Sequence, residues 1–531
     1  MDPTLPARCW RNESSSARDV LGRPQRVGGR SLRPARDLGG RVRVPGDGAV
    51  VSAALVPVGD AIARLRAFHD GGETRSLAWR LACLAELRDR ILDDPTSLER
   101  ALVADLGKHP TETLVTETGL VVAEIDHVRR HLRAWLRPAR VPVPLVQRPG
   151  RARTTREALG IVLVVSPWNY PLYLALMPLV SAIAAGNCVL VKPSEHAPSS
   201  GDALARLLEG GSVGDATAVV LGGADVVHDG LAAGVDHVFF TGSTRVGRVV
   251  AEAAARHLTP TTLELGGKCP AIVDATAAIR PAARRIAWAK FVNAGQTCVA
   301  PDYVLVSRPV ADRFVDELVR AIRAMYGPDP SASPDYPRIV DAAHHDRLAA
   351  LVARHADRVV AGGEHDAARR YLAPTVLRDP ELASDVMREE IFGPILPVVT
   401  VEDVSDALRV VAGLPPPLAV YAFSESAAAR TRIERGTRSG AFCVNDAMTQ
   451  LGVSGLPFGG VGESGAGVSH GRLGVESLTQ VRSVLERGAR PDISVHRPPY
   501  SALRDFVVAR TLGASRRRTR APRPAEPIVP R

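Results

Sequence analysis

Apolar side chains along the chain follow three different rhythms. From about residue 58 to residue 136 the rhythm is helical: Leu77, Leu81, Leu84 and Leu87 stand at i, i+4, i+7 and i+10, and Ile125, Val128, Leu132 and Leu136 at i, i+3, i+7 and i+11. Helices with one apolar stripe must bury it, so this segment predicts a helical layer laid over a partner. Residues 139–157 alternate instead, with Val141, Val143 and Leu145 leading to a Pro149-Gly150 turn. This is the pattern of a hairpin that projects from the body and can pair with a second subunit. Between 159 and 265, short β-branched runs at 161–165, 188–191, 216–221, 237–240 and 261–265 enclose helical stretches at 172–185, 201–208, 226–232 and 245–257. Five strands joined by four helices predict a doubly wound parallel sheet of the α/β class. Ligands in such sheets bind beyond the carboxyl ends of the strands. The residues at those ends are Asn169, Lys192, Gly242-Ser243 and Gly266-Gly267.

Composition narrows the class. With 531 residues, 45% of them hydrophobic, the chain can bury the cores of two or three domains. Its net charge of +10 invites a nucleic-acid partner, but the charge sits at the ends. Residues 1–43 carry ten Arg against four acids and residues 487–531 carry eleven Arg against three, so the body between them is slightly negative. Without a basic field on the body, nucleic acid is not expected as a partner, and the two ends read as solvated, disordered arms. The six cysteines form no C-x-x-C pair, which argues against a disulfide scaffold or a zinc site, so no metal is expected. The N-terminus lacks an apolar signal core, and the longest apolar run, 172–186, is interrupted by Pro178 and is too short to span a membrane. These features predict a cytoplasmic protein with no membrane anchor.

Seven motifs fall at the expected strand ends and beyond. Ser166-Pro-Trp-Asn-Tyr-Pro171 follows the first strand, Lys192-Pro-Ser-Glu195 the second, and Phe240-Thr-Gly-Ser-Thr-Arg-Val-Gly247 joins the fourth to a helix. Glu264-Leu-Gly-Gly-Lys268, Phe291-Val-Asn-Ala-Gly-Gln-Thr-Cys298, Glu389-Glu-Ile-Phe-Gly-Pro394 and Leu456-Pro-Phe-Gly-Gly460 come after. Together, in this order, they resemble the aldehyde dehydrogenase superfamily. The stretch Arg285-Ile-Ala-Trp-Ala-Lys-Phe, with Val299-Ala-Pro-Asp-Tyr303, looks most like its class 3 branch. The resemblance covers about residues 57 to 502 and leaves out both arms. A further match, Gly460-Val-Gly-Glu-Ser-Gly465, has the spacing of a dinucleotide fingerprint but follows no strand and opens no helix, so it reads as a tight loop.

The chemistry of these residues can be argued beside the resemblance. A lone cysteine is ordinarily a small buried hydrophobe. Residues 287–292 read as helix, however, and Gly295 can end it, which would set Cys298 on a loop facing the ligand edge of the sheet. A thiolate adds to an aldehyde to give a thiohemiacetal that can lose hydride, and the resulting thioester can be hydrolysed. For that, the thiol must have a lowered pKa or a base nearby. Asn169 can point an amide N–H at the oxyanion beside the Cys298 backbone N–H, or it can merely cap a helix starting near Pro171. Glu264, at the end of an apolar strand, can be a general base with a raised pKa or one half of a strand-end ion pair. The resemblance implies, further, that this acid separates dehydrogenases from relatives that lack it and pass the acyl group to another acceptor, so water is the expected acceptor.

The resemblance implies the remaining roles. NAD or NADP is the cofactor, and the acid at Glu195 tilts the expectation toward NAD. Trp168, Lys192, Glu195, Gly242, Ser243, Gly247, Gly266, Glu390 and Phe392 are the cofactor-binding residues: Lys192 and Glu195 on the adenosine ribose, Gly242-Ser243 under the pyrophosphate at a helix N-terminus, Glu390 and Phe392 around the nicotinamide ribose and ring. The chain has only four lysines among 67 basic residues, and Lys192, Lys268 and Lys290 lie inside motifs while Lys108 does not. The substrate is a small-molecule aldehyde, of medium-to-long aliphatic or aromatic type. The implied layout is a basic arm at 1–50, a doubly wound NAD(P)-binding domain at 51–138 and 158–265, and an oligomerisation hairpin at 139–157. An α/β catalytic domain at 266–465, a dimerisation segment at 466–502 and a basic tail at 503–531 follow, in a homodimer. The alternatives are a thiol esterase or acyl transferase using the same cysteine, and a scaffold built on an inactive body that binds through Arg516-Arg517-Arg518.

Overall fold

In the computed structural model, which describes residues 57–144, 147–490 and 497–511, the five expected strands form one sheet. Its order is Thr261–Leu265, His237–Gly242, Ile161–Val165, Cys188–Lys192 and Thr217–Val219, all parallel. The pleat explains why these strands are apolar throughout. Val162, Val164, Val189 and Val191 join the core beneath the helices Leu77–Asp93, Gly119–Trp135 and Tyr173–Ala185. Their neighbours Ile161, Leu163, Val165 and Leu190 face the opposite layer with Val58–Gly71 and Thr244–Arg256. A sheet covered on both faces leaves no polar side to alternate with. In the helical layer Leu84, Leu87, Ile125, Val128 and Leu132 are buried as their spacing requires, while Leu77, Leu81 and Leu136 are only partly covered.

A second, seven-stranded sheet carries the other half of the molecule. Its order is Val359–Ala361, Thr375–Arg378, Ile395–Val401, Tyr303–Ser307, Pro270–Val273, Ala419–Phe423 and Ala441–Val444, parallel except for the first strand. The helices Ile279–Phe291 and Ala311–Tyr326 pack on it and on each other.

The hairpin forms as expected, with Ala139–Val141 antiparallel to Arg151–Ala158. A third strand, Thr479–Glu486, pairs along the other side of Arg151–Ala158 from Thr479 opposite Ala158 to Glu486 opposite Arg151. Gly465–Ala466 is an antiparallel edge strand of the first sheet, Gly465 opposite Glu264, and the helix Gly471–Ser477 packs on Gly119–Trp135 and Tyr173–Ala185. Glycine makes this return possible: a Cβ on Gly465 would stand 2.4 Å from the Leu263 carbonyl oxygen. The false fingerprint is thus a tight loop leading into an edge strand. The arm 1–50, Leu145, Cys9 and the Arg516-Arg517-Arg518 cluster lie outside the described residues. Within the expected tail, Ala502–Thr511 is a helix with no buried residue. Among the described residues no helix is long and apolar enough to cross a membrane, and no group of three metal-ligating side chains occurs.

Candidate active site

The cysteine loop begins where the helix Ile279–Phe291 ends. Asn293 and Ala294 turn to φ 53° and 52°, and Gly295 to 74°. Asparagine tolerates the left-handed region, and glycine is required at 295 because a Cβ there would lie 2.3 Å from the Gly393 carbonyl oxygen. Gln296, wholly buried, ties the loop in three directions: its amide donates to the Asn293 and Arg338 carbonyls (3.0 and 3.1 Å) and its side-chain oxygen accepts from Val340 N–H (3.0 Å). Thr297 Oγ1 meets the Tyr170 hydroxyl at 2.7 Å. The loop so held leaves Cys298 partly exposed, with the Cys269 thiol on its carbonyl. No cation lowers the Cys298 thiol. Burial pushes it well above its ordinary range, and Glu390, Cys269 and Glu264 push it further. Of the two expected routes to a thiolate, a depressed pKa is therefore absent from this arrangement, and acid groups nearby are present.

Asn169 is buried and does not cap the following helix. That helix starts at Tyr173, and its first N–H groups, Leu172 and Tyr173, are accepted by Glu117 Oε2 at 2.9 and 3.2 Å. The Asn169 side-chain amide instead donates to the Gln296 carbonyl at 3.0 Å, two residues before the cysteine. Its backbone oxygen receives Asn293 Nδ2 at 2.7 Å and Lys108 Nζ at 3.4 Å. Lys108 and Glu117 are themselves an ion pair at 2.5 Å with both side chains wholly buried, and Glu117 sits in the π-helical turn Leu114–Thr118. Glu112, from the turn before, accepts the Asn293 N–H at 3.0 Å.

Among the described residues Glu264 has no ion-pair partner. It is buried at the end of Thr261–Leu265, where its Oε1 accepts the Ser469 hydroxyl. Burial raises its carboxyl to about 7 against that hydrogen bond, which lowers it. A carboxyl poised there can exchange a proton near neutral pH.

Of the expected cofactor residues, Lys192, Gly242 and Ser243 stand at strand ends of the first sheet, and Glu390 and Phe392 approach that sheet from the other half. Lys192 and Glu195 pair with each other at 2.5 Å at a strand end. Gly242 closes the strand His237–Gly242, and exposed Ser243 caps the helix Thr244–Arg256 by accepting from Val246 N–H. Gly247 lets that helix lie on the sheet, since a Cβ would be 2.5 Å from a Leu265 methyl. Gly266 makes room for Glu390, whose Oε2 would be 1.9 Å from any Cβ there. Burial, and then the charge of Asp302, raises Glu390 to about 8, and its Oε1 is buried without a partner. Trp168 and Phe392 come from the two halves and meet edge to face at 5.3 Å. An open helix N-terminus for a pyrophosphate, a facing aromatic pair and an unpartnered carboxylate oxygen that can accept a hydroxyl fit NAD or NADP.

Several residues at the site were not singled out in the sequence. Lys108, Glu112 and Glu117 hold the Asn169 loop, and His344 packs its ring edge on Trp168 at 5.0 Å with Asp341 on its Nδ1 at 2.8 Å. Ser469, on Glu264, is followed by His470. Only Lys108 had a signal. Where arginine is the ordinary cation, each lysine marks a place that requires a compact ammonium, and all four lysines are buried.

Residues 50–484 match the model of the aldehyde dehydrogenase family. The chain is 43% identical over 454 residues to aldehyde dehydrogenase family 3 member B1 of Rattus norvegicus, covering 85% of this chain and 97% of that protein. It is 38% identical over 444 residues to a 4,4'-diaponeurosporen-aldehyde dehydrogenase of Staphylococcus aureus, covering 84% and 97%. Among solved structures, the substrate-bound state of Staphylococcus aureus AldH superposes with a TM-score of 0.82 at 38% identity, covering 85% of this chain and 98% of that one. A Mycobacterium tuberculosis aldehyde dehydrogenase complexed with NAD+ gives a TM-score of 0.74 at 26% identity, covering 82% and 91%.

Proposed function

The chain belongs to the aldehyde dehydrogenase family, whose members use NAD or NADP, and from that premise we propose that it oxidises medium-to-long aliphatic or aromatic aldehydes through a thioester on Cys298. The observation that carries this reading is the convergence on one partly exposed thiol of a loop-bound asparagine and a buried carboxyl near neutral pKa.

Cys298 gives up its thiol proton to solvent and adds to the aldehyde carbonyl to give a thiohemiacetal, with the oxyanion against the Asn169 amide and the Cys298 N–H. Trp168, Lys192, Glu195, Gly242, Ser243, Gly247, Gly266, Glu390 and Phe392 would hold NAD or NADP, which would supply the hydride acceptor that turns the thiohemiacetal into the thioester. Glu264 takes a proton from water as that water attacks the thioester, and the acid leaves as Cys298 regains its proton. Glu195 beside the adenosine ribose favours NAD, because a carboxylate disfavours a second negative group.

Apolar substrate is supported by the surface near the cysteine. Gln450 donates to the Tyr421 hydroxyl (3.4 Å), which donates to the carbonyl of Val299, next to Cys298. The turn that carries Gln450 runs on to exposed Val453 and Leu456 and packs by Gly452 on Leu120, close in sequence to exposed Leu114 and Val115. The Staphylococcus aureus relative is named for a diapo-carotenoid aldehyde, in keeping with an apolar chain. The five described cysteines are free thiols, consistent with a cytoplasmic setting. A homodimer joined at the three-stranded sheet is supported by exposed Val141, Val481 and Leu485 on it.

The test is NADH or NADPH formation with a panel of aldehydes, on wild type and Cys298→Ala. Turnover that disappears in the variant is expected; equal rates in both would overturn the mechanism. Acid release from an ester substrate in the absence of cofactor, with no cofactor reduction by any aldehyde, would favour the esterase alternative.

A further inference from the structure

We propose that Ser469 and His470 are positioning residues for Glu264, the inner members of a hydrogen-bonded chain that runs from the Tyr173 phenol to the Glu264 carboxylate and keeps that carboxylate aimed. The proposal rests on the reading of Glu264 as the base of deacylation.

The chain has one consistent direction. Tyr173 OH lies 2.7 Å from His470 Nε2, His470 Nδ1 lies 2.8 Å from Ser469 Oγ, and Ser469 Oγ bonds Glu264 Oε1. All four side chains are buried. An ionised carboxylate can only accept, so the Ser469 hydroxyl donates to Glu264. The Ser469 oxygen then accepts from His470 Nδ1–H, and His470 Nε2 accepts from the Tyr173 hydroxyl. Each donor is used once, and a single imidazole tautomer satisfies the whole chain. Burial brings His470 down to about 4, so the ring is neutral in the working range and both nitrogens keep these roles.

The backbone points the same way. His470 sits at φ 67° and ψ 146°, a region that side-chain-bearing residues rarely occupy. It is held there from three sides: by its two ring partners and by the next N–H, Gly471, which donates to Glu124 Oε1 at 2.7 Å. Ser469 is clamped as well, exchanging both backbone hydrogen bonds with Phe458 (2.9 and 2.7 Å). A strained residue anchored on every side is the arrangement expected where a side chain must be placed rather than merely packed.

The groups that face Glu264 are Ser469, Thr241 opposite it on the neighbouring strand, the Tyr173 phenol and the Cys298 thiol. Those that face His470 are Ser469, Tyr173 and the Phe458 ring, with Glu124 beyond Tyr173. None of these is a cation. The Ser469 hydroxyl is therefore a principal group holding the Glu264 proton affinity down against burial, and its loss moves the carboxyl upward.

The experiment measures the NADH burst and the steady-state rate against pH for wild type, Ser469→Ala, Ser469→Thr and His470→Asn, with Glu264→Gln alongside. In Ser469→Ala the acidic limb of the steady-state rate is expected to move to higher pH by about one unit, the usual worth of one hydrogen bond to a charged group. Burst amplitude and aldehyde KM should stay unchanged. Ser469→Thr keeps the hydroxyl and should return the limb. His470→Asn, which removes the imidazole that links Tyr173 to Ser469, should shift it in the same direction by less. Should Ser469→Ala fail to fold, the His470→Asn limb decides. An unmoved limb in a folded variant overturns the chain, as does a kcat loss with no change in pH profile. Glu264→Gln separates the two readings: a burst with slow turnover there, beside an unmoved Ser469→Ala limb, sinks only the chain, whereas no burst in Glu264→Gln sinks the assignment of the base itself.

Discussion

Lys108 and Glu117 form an ion pair at 2.5 Å with no solvent contact on either side chain, and between them they hold the loop of Asn169. Lys108 reaches the Asn169 carbonyl, while the second oxygen of Glu117 caps the helix that begins at Tyr173.

Lys108→Met should therefore cost stability and activity together. Removing one partner strands a buried carboxylate, at about 3–5 kcal/mol. Urea denaturation should show that loss, and kcat should fall more than aldehyde KM rises. Lys108→Met with stability unchanged would contradict the pair's structural weight.

Asn169→Ala is expected to behave differently. Its side chain makes one hydrogen bond, to the Gln296 carbonyl, and its Oδ1 is unpartnered, so little folding energy depends on it. Activity should fall by about 10²–10³ through loss of an oxyanion donor. Stopped-flow measurement of the first turnover, beside a thermal melt within a few degrees of wild type, checks both halves.

Gly247→Ala should weaken cofactor binding without touching the cysteine chemistry. The new methyl would overlap Leu265 and lift the helix N-terminus off the sheet. A cofactor KM raised several-fold, with the burst rate retained at saturating cofactor, is the expected result.

The ligand-free protein should lose stability as pH rises through neutrality. Burial raises Glu112 and Glu264 to about 7 and Glu390 to about 8, whereas an unfolded glutamate titrates near 4.3. From about 4.3 up to those values the folded state binds more protons than the unfolded one, so stability falls with pH. Buried His237 and His470, both near 4, act oppositely up to about 6.5, where unfolded histidine loses its proton. The two effects largely offset below that point, and the decline should be steepest between about 6.5 and 8, at up to about 1.4 kcal/mol per pH unit for each carboxyl. Melting curves across this range should show it, and Glu264→Gln should flatten it. A melting temperature that rises there would contradict the buried acids.

The five parallel strands and the helices over them were legible because each buries its own apolar positions, and periodicity reports burial directly. Cys298, Asn169 and Glu264 stand out as candidates in the sequence because they lie at or beyond strand or helix ends, where ligands bind in such sheets. The third strand of the hairpin sheet was not. Thr479–Glu486 is mostly exposed on both faces and so carries no burial pattern, and its partner Arg151–Ala158 is more than three hundred residues earlier. The return of Gly465 to the first sheet was hidden for a related reason: a two-residue edge strand built of Gly and Ala has no side-chain rhythm.

The sequence by itself determined the sheet and singled out the candidate nucleophile and the candidate cofactor edge, because those depend on local spacing and on residue types that few other chemistries use. Tertiary structure alone decided what surrounds them. Ser469 meets Glu264 across 205 residues, and Glu117 meets the start of the helix across 55. Hydrogen bonds between side chains so far apart leave no period in the sequence, and burial, which raises Glu264 toward neutrality, exists only once both halves of the molecule close around it.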